Sequence, residues 1–586
     1  MGDKSKSTLP SSQSFLTARP SRNGLKTTLS LAIFVSAIFV SSILVLCPRN
    51  TSTNAEIRFE NDPFHWTHCD LERDPRYLCG YLEVPLDYTN ASDPRKVHLA
   101  TTMFRADTHR KSNRTLVINP GGPGGSGTNY VWRKGEFYST NLTNGQQDVL
   151  GWDPRGVNLT DPSISCFPRD AHRDRWSLAT QQWPETGGYY SLKVADAMNE
   201  AMMQACQESY GDIPRFLSTA FVARDMDAIR AALGEDELTA MLVSYGTGIG
   251  QTYTQMFPDR VGRIAMDGME YVVDGREPWG WGTASLDNVT NAWEDGFLGE
   301  CLAAGPDRCA LAPPAGSQST LPALVARMDN LFAQILERPV PGFIAKSGPG
   351  IITYEIIISL LYSALYNAET WPKFARTLKE LEGGNATLAL EGLEGSWGFD
   401  PNPEERGDNS KFPLKFPVAQ SEELTMMVIC GDSYDAPQKP LEWWADLRQT
   451  MAVKSFISAN SRLYNTLPCR HFPWKSAEVY RGGFNATLKN PVLLIGEPYD
   501  PATPLRSGRA LAKDMGDNAR LLVHHGYGHS SGRDTSKCTE NILRALFVNG
   551  TLPAYKDGEE SECYADGKPF PEGGEDRAVR LERVMW

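Results

Sequence analysis

Short apolar runs, each closed by a turn rich in glycine or proline, recur along the chain and alternate with segments of helical period. Thr115 to Asn119, Leu238 to Val243, Gly262 to Met266, Pro491 to Gly496 and Leu521 to His524 are runs of this kind. They are too short for helices and apolar almost throughout, so they read as strands buried on both faces. Trp66 to Tyr88, Val97 to Phe104 and Asp148 to Gly156 supply further strands with their turns. Between them, Tyr189 to Tyr210, Thr219 to Leu233, Thr247 to Phe257 and Leu505 to Met515 repeat apolar residues at helical spacing. Strands alternating with helices predict an α/β fold with a mostly parallel sheet covered on both faces. From about Arg276 to Met426 the rhythm changes: Leu321 to Leu336, Tyr354 to Tyr366 and Trp371 to Leu381 are helical in period, and Gly395 to Phe416 is polar and proline-rich. This stretch reads as an inserted helical cap.

One run is of a different kind. Leu29 to Cys47 is an uncharged stretch of 19 residues, which at ~1.5 Å per residue spans a bilayer as a helix. Lys4, Lys6, Arg19, Arg22 and Lys26 precede it, and Arg49 stands nearly alone after it. The excess of basic residues before the run predicts a cytosolic tail over 1–28, a transmembrane signal anchor over 29–47 and a stalk over 48–62. The rest then lies in the lumen or outside the cell, as in a single-pass type II membrane protein; secretion after cleavage is the alternative. The expected order continues with a first core part over 63–275, the cap over 276–426 and a second core part over 427–586.

Composition adds two constraints. A net charge of -13 over 586 residues argues against nucleic acid as a partner. Beyond Cys47, which lies in the apolar run, ten cysteines remain: Cys69, Cys79, Cys166, Cys206, Cys301, Cys309, Cys430, Cys469, Cys538 and Cys563. An even set without a CxxC or Cys/His cluster fits disulfides in an oxidising compartment rather than a metal site, and joining sequence neighbours is the simplest pairing. Nine N-x-S/T sequons, at Asn50, Asn90, Asn113, Asn141, Asn158, Asn288, Asn385, Asn485 and Asn549, all follow the apolar run and are glycosylation candidates.

The chemistry centres on Ser244, which stands between a strand and a helix in Leu242-Val-Ser-Tyr-Gly-Thr247. A serine on such a turn lifts its hydroxyl above a sheet, as in the nucleophile elbow of α/β-hydrolases. The usual pattern is G-x-S-x-G, and Leu242 stands where its first glycine belongs. Upstream, Asn119 runs into Pro-Gly-Gly-Pro-Gly-Gly-Ser-Gly127, which lacks the Lys-Ser/Thr of a phosphate loop. A glycine-rich turn there presents backbone N–H groups to an oxyanion; Pro123 has none, which nominates Gly122, with Tyr245 following the nucleophile. Downstream, Glu497-Pro-Tyr-Asp500 and Gly526-Tyr-Gly-His529 follow strands. The order Ser244, Asp500, His529 is that of an α/β-hydrolase triad, with His525 as the fallback base. Asp153 and Arg155 are read as fixing their turn by a salt bridge.

Together these pieces resemble the α/β-hydrolase serine exopeptidases of the prolyl and tripeptidyl aminopeptidase type. The likeness rests on NPGGPGGSG from Asn119, DVLGWDPRG from Asp148, RDMDAIRAALGE from Arg224, SYGT from Ser244, FPDRVGRIAMDG from Phe257, LIGEPYDPATP from Leu494 and GYGHSS from Gly526. Cys430, Cys469, Trp474 and Leu552-Pro553 before Cys563 look like the C-terminal region of the tripeptidyl aminopeptidases. The resemblance implies peptide substrates, cleavage near a free N-terminus through an acyl-enzyme, and no metal or organic cofactor. It also implies an acid to hold the substrate ammonium, for which Glu270, Asp274 and Glu277 are placed after a strand end. Two other readings stay open: an esterase or lipase of the same fold, and a catalytically silent, membrane-anchored binding ectodomain, to which Leu242 lends support.

Overall fold

Ten strands of the computed structural model form one twisted sheet in the order β1-β2-β3-β5-β4-β6-β7-β10-β11-β12. They are β1 Thr67–His68, β2 Tyr77–Pro85, β3 Lys96–Phe104, β4 Thr115–Asn119, β5 Asp148–Trp152, β6 Leu238–Val243, β7 Val261–Asp267, β10 Val492–Gly496, β11 Ala519–His525 and β12 Ser561–Tyr564. β8 Val340–Ile344 and β9 Gly348–Ile352 make a separate hairpin. The structure describes residues 62–572, except 70–73, 108–111, 170–171, 174, 177–187, 315, 318, 395–421 and 555–559. The expected tail, transmembrane anchor and stalk, the sequon at Asn50 and the polar loop from Gly395 lie outside the described residues. Among the described residues no helix is long and apolar enough to cross a membrane.

β1, β2 and β3 pair antiparallel at one edge, and the strands from β5 to β12 are parallel. Successive residues of the parallel strands enter two different cores. Val117, Leu242, Met266 and Leu494 face one, and Leu116, Met241, Ala265 and Leu493 face the other. A strand whose two faces are both covered must be apolar at every position, which is why these strands read as continuous runs.

The first core is closed by α3 Thr219–Ala232, α4 Tyr245–Met256 and α11 Leu505–Met515, the second by α1 Gly127–Phe137 and α12 Lys537–Asn549. α2 Gly188–Tyr210 packs with Trp444 and Leu463 in a smaller cluster. Between β7 and β10 lie α5 Leu321–Glu337, α6 Tyr354–Leu365, α7 Trp371–Glu382, α8 Glu422–Asp432, α9 Leu441–Lys454 and α10 Ala459–Thr466. α5, α6 and α7 share their own core around Trp293, Leu361 and Trp371, whereas α8 joins the core of the sheet through Met427 and Val428. Helices thus run on past Met426 before the sheet resumes at Val492.

Five disulfides join sequence neighbours: Cys69–Cys79, Cys166–Cys206, Cys301–Cys309, Cys430–Cys469 and Cys538–Cys563. Of the described sequons, Asn90, Asn113, Asn385, Asn485 and Asn549 are exposed, while Asn141, Asn158 and Asn288 are partly buried. Asn158 is the misfit among them: its amide nitrogen donates to Asp153 at 2.8 Å and to Ser126 at 3.2 Å, so it is already used inside the fold.

Candidate active site

Ser244 adopts φ 58° and ψ -128°, a conformation that side chains rarely hold. Its surroundings impose it. Its N–H donates to the carbonyl of Asp267 at 2.9 Å, and its own carbonyl accepts from Thr247 N–H at 2.8 Å and Thr247 Oγ1 at 2.6 Å. The glycine loop presses on the turn from above. A Cβ on Gly121 would sit 2.8 Å from Ser244 Cβ and 2.9 Å from Tyr245 N, so only glycine allows that approach. Leu242, where the elbow pattern has glycine, is fully buried and points at Gly250 of α4, whose absent Cβ would meet Leu242 Cδ1 at 2.7 Å. The small residue is supplied by the facing helix.

Gly121 N–H is taken by Asn119 Oδ1 at 2.9 Å, which leaves Gly122 as the next donor of the loop. Tyr245 is the first residue of α4, so its N–H has no partner within the helix. Gly121, Gly122, Ser244, Tyr245, Glu270 and His529 line one cavity of about 660 Å³. Two donors, a serine and an imidazole therefore open on the same space.

His529 Nδ1 lies 3.0 and 2.9 Å from the two carboxylate oxygens of Asp500. Asp500 is fully buried and also accepts from Ala502 N–H at 2.7 Å, Thr503 N–H at 2.8 Å, Thr503 Oγ1 at 2.7 Å and Ser530 N–H at 3.0 Å. Burial works against its charge, but the imidazole and these donors outweigh it and hold the carboxyl below its ordinary range. The cap meets this turn directly. Tyr366 accepts His529 N–H through its carbonyl at 3.0 Å and sets its ring 5.1 Å from the imidazole. His525, the fallback, stacks on Tyr564 instead, and the Asp500 carboxylate is held by His529.

Asp267 at the end of β7 and Glu497 just after β10 form a buried acid pair behind Asp500 and His529. Burial, then the Asp267 and Asp500 carboxylates, raises Glu497 well above the ordinary carboxyl range.

Of the three acids expected to face the substrate, Glu270 and Asp274 reach the cavity and Glu277 does not. Glu277 is exposed, caps the short helix Pro278–Ala284 and accepts from Trp279 Nε1 at 2.8 Å, which turns it away. Asp274 is already paired with Arg506 Nη1 at 3.1 Å. Glu270 presses on α4, where a Cβ on Gly248 would collide with its Oε1, and lines the cavity beside Trp281. A second acid that spacing did not reveal, Asp432 at the end of α8, lines a smaller adjoining cavity together with Glu270. Asp432 accepts Thr219 N–H at 2.9 Å. Burial pushes Asp432 up to about 6; burial and then Asp432 push Glu270 up to about 8. α8 also steadies the glycine loop, since Thr425 Oγ1 donates to Pro123 O at 2.7 Å.

Asp153 and Arg155 fix their turn, but not by pairing with each other. Asp153 accepts Ser126 Oγ at 2.7 Å and Thr128 N–H at 3.1 Å at the start of α1, while Arg155 forms a buried pair with Asp225 at 2.6 Å. Among the described residues no group of acids, histidines and cysteines is placed to hold a metal ion.

A parallel sheet with a strained serine turn after β6, an acid after β10 and a histidine after β11 defines an α/β-hydrolase, and the family model described as "alpha/beta hydrolase fold" matches residues 114–292. The model described as "TAP-like protein" matches residues 454–563. The chain is 34% identical over 518 residues to a tripeptidyl aminopeptidase of Streptomyces lividans, covering 86% of this chain and 87% of the relative. It is 27% identical over 541 residues to the serine protease Hip1 of Mycobacterium tuberculosis, covering 89% and 96%. It is 25% identical over 480 residues to a carboxylesterase B of Mycobacterium tuberculosis, covering 81% and 85%. The chain belongs to the α/β-hydrolase peptidase family of the tripeptidyl aminopeptidases and is a serine hydrolase of the peptidase type.

Proposed function

We propose that this serine peptidase is an aminopeptidase that cleaves close to the free N-terminus of peptides, with Ser244, His529 and Asp500 as its triad. The observation that carries this reading is the cavity in which Ser244 and His529, the latter bound to Asp500 at 2.9 Å, share one wall space with the acid Glu270. Ser244 Oγ attacks the carbonyl carbon while His529 takes its proton; the tetrahedral oxyanion rests on the N–H groups of Gly122 and Tyr245, at ~3 kcal/mol per donor. His529 then gives the proton to the leaving amine, and a water repeats the sequence on the acyl-enzyme. Asp500 holds the imidazole with its proton on Nδ1. Glu270, backed by Asp432, receives the substrate ammonium, and Asp274 stands beside them as a weaker candidate because Arg506 occupies it.

The protein in this reading is held in a membrane by the apolar run Leu29 to Cys47, with its catalytic domain on the lumenal or extracellular side, as the five disulfides favour. The exposed sequons Asn90, Asn113, Asn385, Asn485 and Asn549 are its glycosylation sites.

The test compares wild type with Ser244→Ala on matched peptides carrying free or acetylated N-termini, with products identified by mass spectrometry. N-terminal fragments released by wild type alone, and from free-amine peptides alone, support the reading. Hydrolysis of simple acyl esters without cleavage of any peptide would put the chain with the esterases of this fold. No turnover and no labelling by a fluorophosphonate would mark it as a silent ectodomain.

A further inference from the structure

We propose that the histidine side of the cavity is a carboxylate-binding subsite for the leaving portion of the peptide, built from Arg133, Lys134 and Arg533. It rests on the aminopeptidase reading and narrows its substrates to short or acidic peptides, whose released part carries an anion close to the cleaved bond.

The direction of the substrate follows from the chemistry. The leaving amine takes its proton from His529, so the released segment must lie on the histidine side. Arg533 stands four residues after His529 on the same turn, and its Cβ comes within 3.0 Å of where a Cβ on Gly528 would be. Arg133 and Lys134 project from α1, the helix that follows the glycine loop. All three line the cavity that contains Ser244. Their mutual closeness registers on Lys134: burial, then Arg533, then Arg133 lower its pKa.

The acids around them do not cancel this charge. Glu369, in the cap turn Ala368–Thr370, is the acid that acts on both Lys134 and Arg533, and burial raises its own pKa; it is one acid against three cations. Asp534 is committed to His524 Nε2 at 2.7 Å and Tyr527 N–H at 2.9 Å. Neither Arg133 nor Arg533, both exposed, forms an ion pair among the described residues; Arg133 Nε reaches only the Asn129 carbonyl at 3.4 Å. The partly buried acids Glu270 and Asp432 adjoin the smaller cavity, whose lining contains none of these three cations. The cavity thus has its acids, Glu270 and Asp274, on the side of the elbow helix, where Arg462 also lines it, and Arg133, Lys134 and Arg533 on the side of the histidine turn. A charge-separated peptide matches that field: ammonium at Glu270, carboxylate at the arginines.

The carboxylate has two sources, a free C-terminus or an acidic side chain. Four peptides with the same free-amine N-terminal portion separate them: one with a neutral amidated leaving segment, its free-acid form, and amidated forms with Asp or Asn first after the cleaved bond. The readout is the ratio of kcat/KM within each pair. Wild type is expected to favour the carboxylate by about fivefold at low salt, the scale of one or two exposed ion pairs, with the ratio falling as salt is added. The Arg133→Gln/Arg533→Gln double variant brings the ratio towards one. Arg533→Glu lowers the ratio below one, an inversion that misfolding cannot produce. A free-acid preference alone identifies C-termini of short peptides, and an Asp preference alone identifies acidic side chains. A wild-type ratio of one in both pairs, or a ratio untouched by the variants, overturns the subsite while peptide cleavage stands. Failure to cleave any of the four would overturn the aminopeptidase reading and this inference with it.

Discussion

The Asp267 carboxylate accepts two hydrogen bonds from Ser531, from its N–H at 3.0 Å and its hydroxyl at 2.8 Å. Its backbone carbonyl holds Ser244 N–H at 2.9 Å. One residue at the end of β7 therefore locks the Ser244 turn to the His529 turn. In Asp267→Asn the backbone bond survives and one charge-assisted acceptor is lost, worth ~1.5–3 kcal/mol. The expected result is a fall in kcat of about ten- to a hundredfold with KM little changed, since the reacting groups are displaced and the substrate subsites are not. Steady-state kinetics on a free-amine peptide check it; an unchanged kcat would show that the two turns hold their places without this link.

The contact between Leu242 and Gly250 yields a prediction against the family pattern. Restoring the glycine, as Leu242→Gly, empties a fully buried site between β6 and α4. It is expected to cost ~2–5 kcal/mol of stability and to give no gain in kcat. Gly250→Ala overpacks the same contact and costs ~1–3 kcal/mol. Chemical denaturation of both variants measures this, and an active, fully stable Leu242→Gly protein would contradict it.

The acid pair predicts a pH dependence. Glu270, held up to about 8 by burial and by Asp432, and Asp432, held up to about 6 by burial, gain charge as pH rises through those values. Attraction for a substrate ammonium grows accordingly until the amine itself loses its proton near ~8. The ratio of kcat/KM for a free-amine peptide to that for an N-blocked ester should rise from pH 5 to about 8, and Glu270→Gln should flatten the rise above pH 6. Stability moves the other way. Between its ordinary 4.5 and about 8 the folded protein keeps a proton on Glu270 that the unfolded chain releases, so folding weakens as pH rises through that window. Glu270→Gln should then unfold at a higher temperature than wild type at pH 8 and gain nothing at pH 4.

The parts legible in the sequence were those whose physics is local. Doubly covered strands leave unbroken apolar runs, so β4 and β6 showed their bounds and β10 all but its first residue, and the turns after β6, β10 and β11 carry Ser244, Asp500 and His529 in order. Asp432 was hidden because it reaches Glu270 through α8, more than 160 residues along the chain, with no periodic mark on either. The hairpin of β8 and β9 escaped because its outer face is exposed and its strands carry Gly342, Pro349 and Gly350. Glu277 misled for the opposite reason: nearness in sequence to the β7 end says nothing about which way the residue capping a short helix is turned.

Asp500 makes the sharpest test of the triad. In Asp500→Asn the side chain still has one oxygen for Ala502 N–H and Thr503 N–H, at present 2.7 and 2.8 Å from Oδ1, but it loses the Oδ2 that accepts Ser530 N–H at 3.0 Å. The amide nitrogen then faces His529 Nδ1 in place of the Oδ2 that lies 2.9 Å away. A donor there stabilises the tautomer with its proton on Nε2, the nitrogen that must be free to take the proton of Ser244. The expected outcome is a fall in kcat of about 10³- to 10⁴-fold, with fluorophosphonate labelling slowed in parallel and KM nearly unchanged. A merely structural role would raise KM and lower the unfolding temperature together. If labelling keeps its wild-type rate in the folded variant, His529 is not the base that activates Ser244.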